Sequence, residues 1–289
     1  MIFPHLITTS QLAQFRKPDW AIIDCRFDLS KPDWGFLNYQ EGHLPDAIYA
    51  HLDQDLSGRI TRQTGRHPLP EPDIFSNKLT SWGIQIDTQV VVYDTTGGSF
   101  AVRLWWMLRY YGHSQVALLD GGFPMWLREN RPTQTGVYHP NPASVPFMPS
   151  FHSEMLVSAD EVERIRQDPV YLLIDARSLQ RFSGEIEPID SVAGHIPGAL
   201  NRFHVKNLTH EGVFKSPSIL QVEFARLLKN TPPENVLVYC GSGVTSCHHL
   251  LAMEIAGLKG ARLFAGSWSE WIRDPNRPIA VNSLRTRNL

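Results

Sequence analysis

Cysteine is scarce in this chain: Cys25, Cys240 and Cys247 are the only three in 289 residues. So small and odd a number in so long a chain argues against the disulfide framework of a secreted domain. No two of them stand in a CxxC spacing, so neither structural zinc nor a dithiol redox pair is implied, and no cofactor is called for. An excess of one charge is missing too. The 27 basic and 29 acidic residues leave −2, with no long run of either sign, which argues against binding nucleic acid or a membrane surface. No apolar run reaches the roughly 18 residues of a membrane helix. The start, Met1-Ile2-Phe3-Pro4-His5-Leu6-Ile7, lacks the basic region and apolar core of a signal peptide. The setting expected from these absences is reducing and cytoplasmic.

What is present is core material, with 42% hydrophobic and 10% aromatic residues, in a chain longer than one domain usually needs. The chain is also written twice. Ile22-Ile23-Asp24-Cys25-Arg26 returns as Leu173-Ile174-Asp175-Ala176-Arg177, and Gly42-His43-Leu44-Pro45-Asp46-Ala47 as Gly194-His195-Ile196-Pro197-Gly198-Ala199. Val91-Val92-Tyr93-Asp94 returns as Leu237-Val238-Tyr239-Cys240, and Asp120-Gly121-Gly122-Phe123 as Ala265-Gly266-Ser267-Trp268. Four blocks in one order, each displaced by roughly 150 positions, mark two copies of one domain. Residues 132–153 hold Pro132, Pro140, Pro142, Pro146 and Pro149, a connector composition. Domains are therefore expected over 1–140 and 150–289.

Short apolar runs such as Ala21–Asp24, Val90–Tyr93 and Val116–Leu119 are continuous rather than alternating. They predict strands covered on both faces, hence an α/β domain whose mainly parallel sheet is flanked by helices. A helix is predicted from Phe100 to Tyr111, with Leu104, Trp105, Leu108 and Tyr111 as a core stripe.

Cys240 carries the chemistry. It ends the run Val236-Leu237-Val238-Tyr239, opens the loop Gly241-Ser242-Gly243-Val244-Thr245 and precedes a helical stretch. A thiol in a small-residue turn before a helix meets inward N–H groups and partial positive charge. That lowers a pKa of roughly 8.5 and favours the nucleophilic thiolate. The matching residue of the first copy is Asp94, which has no thiol. Its loop, Thr95-Thr96-Gly97-Gly98-Ser99, does not repeat the cradle pattern. The first copy is therefore expected to be catalytically silent and to supply one wall of a cleft.

These motifs give a resemblance. Asp-x-Arg after a strand, Gly-His-Ile-Pro-Gly-Ala, Cys-Gly-Ser-Gly-Val-Thr and Gly-Ser-Trp-Ser-Glu-Trp resemble the rhodanese superfamily, and within it the tandem-domain thiosulfate and 3-mercaptopyruvate sulfurtransferases. The resemblance implies transfer of a sulfane sulfur from a small anionic donor to Cys240, as a persulfide. A thiol, cyanide or a thioredoxin-like protein would then accept it. It implies that Arg181 grips the donor anion and that Gly241, Ser242, Gly243, Val244 and Thr245 line the substrate. A bidentate guanidinium suits a planar anion. Where the mercaptopyruvate enzymes usually carry a second arginine after Glu-Pro, this chain reads Glu187-Pro188-Ile189-Asp190. Arg66 and His67 are candidates to fill that role. The uncharged loop favours mercaptopyruvate over thiosulfate as donor, whereas the missing arginine weakens that preference.

Other residues read as structural. Arg177 repeats as Arg26 and His195 as His43, so both pairs are expected to serve the fold. Cys247 is read as a small buried helix residue rather than a resolving thiol. Of the adjacent His248 and His249, helical geometry is expected to turn one away from the loop. A cysteine phosphatase would need an arginine closing the loop, and neither Ser246 nor Cys247 is one. A carrier or regulatory module that passes sulfur once to a protein partner remains the alternative to turnover.

Overall fold

The computed structural model describes residues 2–281, which form two compact units. The first holds the residues up to Arg59, then Leu69–Ser153 and Leu208–Lys215; the second holds Ile60–Pro68, Glu154–Asn207 and the residues from Ser216 on. Each unit thus contains one short segment from the other half of the sequence. No helix among the described residues is long and apolar enough to cross a membrane.

In the first unit the chain runs β1 (Leu6–Ile7), α1 (Thr9–Phe15), β2 (Ala21–Asp24), α2 (Trp34–Glu41), β3 (Ala47–Tyr49), α3 (Pro72–Ser81), β4 (Val90–Tyr93), α4 (Ala101–Tyr110), β5 (Val116–Leu119) and α5 (Gly122–Arg128). Its sheet has the order β1-β5-β4-β2-β3, every pairing parallel. The second unit runs α6 (Ala159–Ile165), β6 (Leu172–Asp175), α7 (Leu179–Ser183), β7 (Leu200–Asn201), α8 (Pro217–Leu228), β8 (Val236–Tyr239), α9 (Cys247–Ile255), β9 (Arg262–Leu263) and α10 (Ser267–Trp271). Its sheet, β7-β6-β8-β9, is again wholly parallel. The counterpart of β1 is reduced to one parallel bridge, Leu156 to Leu263. The predicted strands over 21–24, 90–93 and 116–119 form as read. All four residues of β2, β4, β5 and β8 are buried, as continuous apolar runs require.

Helix α4 is more deeply set than a one-sided stripe. Every residue from Ala101 to Leu108 is buried, Arg103 included. Leu104, Trp105 and Leu108 pack as expected, and so does Tyr111 just past the helix end.

The repeated polar residues build the frame of each unit. Arg26 Nε donates to Asp24 Oδ2 at 2.8 Å and Nη2 to the Gly42 carbonyl at 2.9 Å. Arg177 Nη2 donates to Asp175 Oδ2 at 2.6 Å and to the Gly194 carbonyl at 2.7 Å. The Tyr93 and Tyr239 hydroxyls each accept a backbone N–H at 3.2 Å, from Leu44 and Ile196 respectively. His43 and His195 each hold a backbone carbonyl through Nδ1 at 2.8 Å. Because these contacts occur in both copies, they account for the fold and not for a chemistry confined to one of them.

The carboxyl ends of β4 and β8 are where open parallel sheets present their reactive residues. At the end of β4 the structure corrects the sequence reading of the first loop. Asp94 Oδ1 accepts the N–H groups of Thr96 and Gly98 at 2.8 and 2.9 Å, and Oδ2 those of Phe100 and Ala101 at 2.8 and 3.0 Å. A cradle does form, and the Asp94 carboxylate fills it. The loop composition hid this because the donors are main-chain groups, which any residue except proline supplies.

Asp94→Ala would leave those four donors without their acceptor. At 1–3 kcal/mol for a buried orphan, partly offset by water at the rim, the loss is about 3 kcal/mol. The urea midpoint of the variant should fall accordingly, and an unchanged midpoint would contradict the role given to Asp94.

Candidate active site

The second unit places Cys240 directly after β8. Its backbone is tied down on both sides: Cys240 N–H donates to Ser267 Oγ at 3.1 Å, and the Cys240 carbonyl accepts Trp268 N–H at 3.1 Å. The Gly241 carbonyl accepts Ser269 N–H at 2.9 Å. The first turn of α10 therefore fixes the start of the loop. Gly243 sits at φ +75°, and a side chain there would run into the Ala265 carbonyl. Glycine is required at that position on both counts.

Cys240 is 2% exposed. Burial pushes its pKa up, but hydrogen bonds outweigh it. The hydroxyls of Ser246 and Thr245 and the N–H groups of Ser242 and Ser246 all favour the thiolate, and the net shift is downward. Ser246 Oγ donates to the sulfur at 3.5 Å. Serine at a helix start ordinarily caps its own helix; Ser246, at the N-terminus of α9, makes no such capping bond. Its hydroxyl serves the sulfur instead. Sequence reasoning missed Ser246, although a serine at the head of the helix after the loop was the available signal. The two N–H donors lie two and six residues past Cys240, the positions that Thr96 and Phe100 hold relative to Asp94.

The other expected residues gather here with altered partners. Ser242 Oγ lies 2.7 Å from His67 Nδ1, so the serine reaches the sulfur through its N–H and not its hydroxyl. Val244 is buried and Thr245 half-buried. His67 and Arg66 belong to this unit through the segment Ile60–Pro68. Arg66 N–H donates to Ser269 Oγ at 3.0 Å, and a side chain on Gly65 would strike the Gly266 carbonyl, at 2.5 Å. The two serines of Gly-Ser-Trp-Ser-Glu-Trp thus have separate tasks: Ser267 holds Cys240 and Ser269 holds Arg66.

Two guanidinium groups lie over Gly241. A β-carbon built there would sit 2.9 Å from Arg66 Nη2 and 3.4 Å from Arg181 Nη2. The position next to the thiol is left clear by the absence of a side chain. Arg181 donates to Glu187 through Nε at 3.1 Å and Nη2 at 2.8 Å. Arg177 is turned inward, onto Asp175 and Glu187. Burial tends to lower the Arg177 pKa, but Asp175 overrides it and the net shift is upward. The Arg66 pKa is lowered, first by burial and then by the neighbouring Arg181, while the Cys240 thiolate and Glu187 pull it the other way.

The rhodanese-like domain family matches residues 8–129 and again 158–274. The chain belongs to the rhodanese family. It is 44% identical over 280 residues to a "probable 3-mercaptopyruvate sulfurtransferase" of Pseudomonas aeruginosa, covering 96% of this chain and 98% of that one. It is 31% identical over 283 residues to a thiosulfate sulfurtransferase of Rattus norvegicus, covering 94% and 93%. Among solved structures it resembles SseA from Escherichia coli, titled a 3-mercaptopyruvate sulfotransferase, with TM-score 0.79, 30% identity and coverage of 92% and 100%.

Around this rhodanese loop, three remaining residues are enclosed by the fold. Cys247 is buried, its thiol donating to the Gly243 carbonyl at 3.4 Å. His248 and His249 are both buried, because α9 is enclosed from Cys247 to Met253. Asn207 Nδ2 lies 3.0 Å from Nδ1 of each, and burial holds the His249 pKa well below its usual value.

Since Ser246 is the leading hydrogen-bond donor to the sulfur, Ser246→Ala should raise the thiol pKa by about one unit, or ~1.4 kcal/mol. The rate of alkylation by iodoacetamide, followed against pH, rises as the thiolate forms. Its midpoint should lie below the ordinary thiol range in the parent protein and move up in the variant; coincident profiles would remove Ser246 from this role.

Proposed function

We propose that the chain is a sulfurtransferase with Cys240 as its nucleophile, taking a sulfane sulfur from 3-mercaptopyruvate or thiosulfate. The observation that carries this is a buried thiol whose pKa is lowered by four loop donors, with two guanidinium groups over the adjacent glycine. Family membership supplies the reaction class; the loop supplies the means.

In this reading Arg66 and Arg181 hold the anionic end of the donor. The Cys240 thiolate attacks the donor sulfur, forming an S–S bond. With mercaptopyruvate the C–S bond breaks and its electron pair leaves as the enolate of pyruvate, which takes up a proton. With thiosulfate the S–S bond breaks and sulfite leaves. The loop donors that favour the thiolate also favour the persulfide anion. In the same reading Ser242, its hydroxyl paired with His67, would donate to the carbonyl oxygen on which enolate charge develops. An acceptor thiolate then attacks the outer sulfur and releases Cys240 as thiolate, closing a double displacement. Arg66 takes the part of the arginine that is missing after Glu187-Pro188, so mercaptopyruvate is the preferred donor of this proposal. A small thiol, cyanide or a thioredoxin-like protein is the acceptor class. Three free, buried cysteines suit a reducing compartment, and a cytoplasmic setting is part of the same proposal.

Cys240→Ser should take up no sulfur when treated with mercaptopyruvate and examined by intact-protein mass spectrometry; a gain of one sulfur on the variant would refute the assignment. Arg181→Ala should lower kcat/KM for either donor by about a hundredfold, the value of a charge-assisted bidentate contact. Turnover with a small thiol acceptor separates an enzyme from a one-shot sulfur carrier, which would stop after a single transfer.

A further inference from the structure

Three cations meet three carboxylates beside the loop: Arg66, Arg177 and Arg181 against Asp175, Glu187 and Asp190. Asp175 and Glu187 between them satisfy Arg177, and Glu187 also takes the Nε edge of Arg181. Asp190 is placed differently. One carboxylate oxygen pairs with Arg66 Nη1, and the other accepts from Arg181 Nη2 at 3.0 Å. Its side chain is 3% exposed, against 23% and 17% for the two arginines it joins. It is held there by its own backbone N–H, which donates to Glu187 Oε1 at 3.1 Å. A two-oxygen anion bridging the two guanidinium groups over Gly241 is the arrangement that a donor's carboxylate or sulfonate would itself adopt.

We infer that Asp190 is a donor-selectivity residue: a built-in counter-anion that shares Arg66 and Arg181 with the donor and disfavours dianions such as thiosulfate relative to monoanions such as mercaptopyruvate. The inference rests on the function proposed above for the identity of the donors. With Asp190 in place the six groups have formal charges that cancel. An incoming anion therefore meets no net attraction from the cluster and must bind by geometry, against the negative charge of Asp190. Repulsion scales with the product of the charges, so a dianion meets about twice the opposition of a monoanion, in surroundings where screening is weak. One donor of the pair is not taken by the cluster: Arg66 Nε is buried with no hydrogen-bond partner among the described residues. A buried guanidinium N–H of that kind gains by meeting an anion.

The test uses the full chain in two arms. In the first, sulfate, a dianion unable to donate sulfur, is titrated calorimetrically into Cys240→Ser, which cannot react. Adding Asp190→Asn should tighten sulfate about tenfold, and acetate only about threefold. In the second arm, Asp190→Asn in the chain with Cys240 intact should raise the ratio of kcat/KM for thiosulfate over mercaptopyruvate about tenfold. Asp190→Ser, which removes the charge with less bulk, is measured beside it and decides if the asparagine variant does not fold. Sulfate binding that is unchanged or weaker without the Asp190 charge, or an unchanged donor ratio, would overturn the inference, since Asp190 would then only hold the arginines in place. If neither donor transferred sulfur even in the parent chain, the proposed function would fall, while the sulfate arm would still judge Asp190.

Discussion

Main-chain N–H groups converging on one side chain, just past the central strand of a parallel sheet, are the constraint on which the rest depends. Such groups have lost water and need an electron-rich partner. The two copies of the domain meet the requirement with different residues. Asp94 offers two carboxylate oxygens and takes four donors. Cys240 offers a sulfur that is as well received only once its proton has gone. The same backbone demand is met by a carboxylate in one loop and favours a thiolate in the other. Burial works against the Cys240 thiolate and the loop hydrogen bonds work for it, and their balance sets its readiness to react.

Around the thiol the electrostatics are more restrained than an anion-binding site suggests. Positive charge from Arg66, Arg177 and Arg181 is cancelled in formal terms by Asp175, Glu187 and Asp190. Buried ion pairs add little net stability once desolvation is counted, but they fix side chains in place. Arg181 is held by Glu187 and Asp190. On the function proposed above, a site built this way would recognise an anion by shape and by exchange of partners rather than by excess charge. The near-neutral composition of the chain agrees with that.

Much of this was legible in the sequence. The strands over Ala21–Asp24, Val90–Tyr93 and Val116–Leu119 could be read because a sheet buried on both faces writes an uninterrupted apolar run. The structural assignment of Arg26, Arg177, His43 and His195 followed from their recurrence in both halves. The Cys240 loop stood out because glycines and a cysteine after a buried strand are costly unless the backbone needs them. The cradle around Asp94 stayed hidden, since backbone donors leave no trace in residue identity. Ser246 was passed over because a serine before a helix reads as a cap, and only the absence of a capping bond shows where its hydroxyl goes.

By itself the sequence determined the duplicated α/β architecture, the placement of Cys240 at the end of a central strand, and the aspartate that stands at the matching place in the other copy. Those features depend on local pattern, which each segment carries whether or not it is folded. Only the tertiary structure decided which distant groups meet that thiol. The segment Ile60–Pro68 brings His67 to a loop residue 175 positions downstream and Arg66 beside it, and Asp190 is threaded between two arginines from different parts of the chain. Contacts of that kind come from packing that buries apolar surface elsewhere, and the spacing of residues along the chain does not record it.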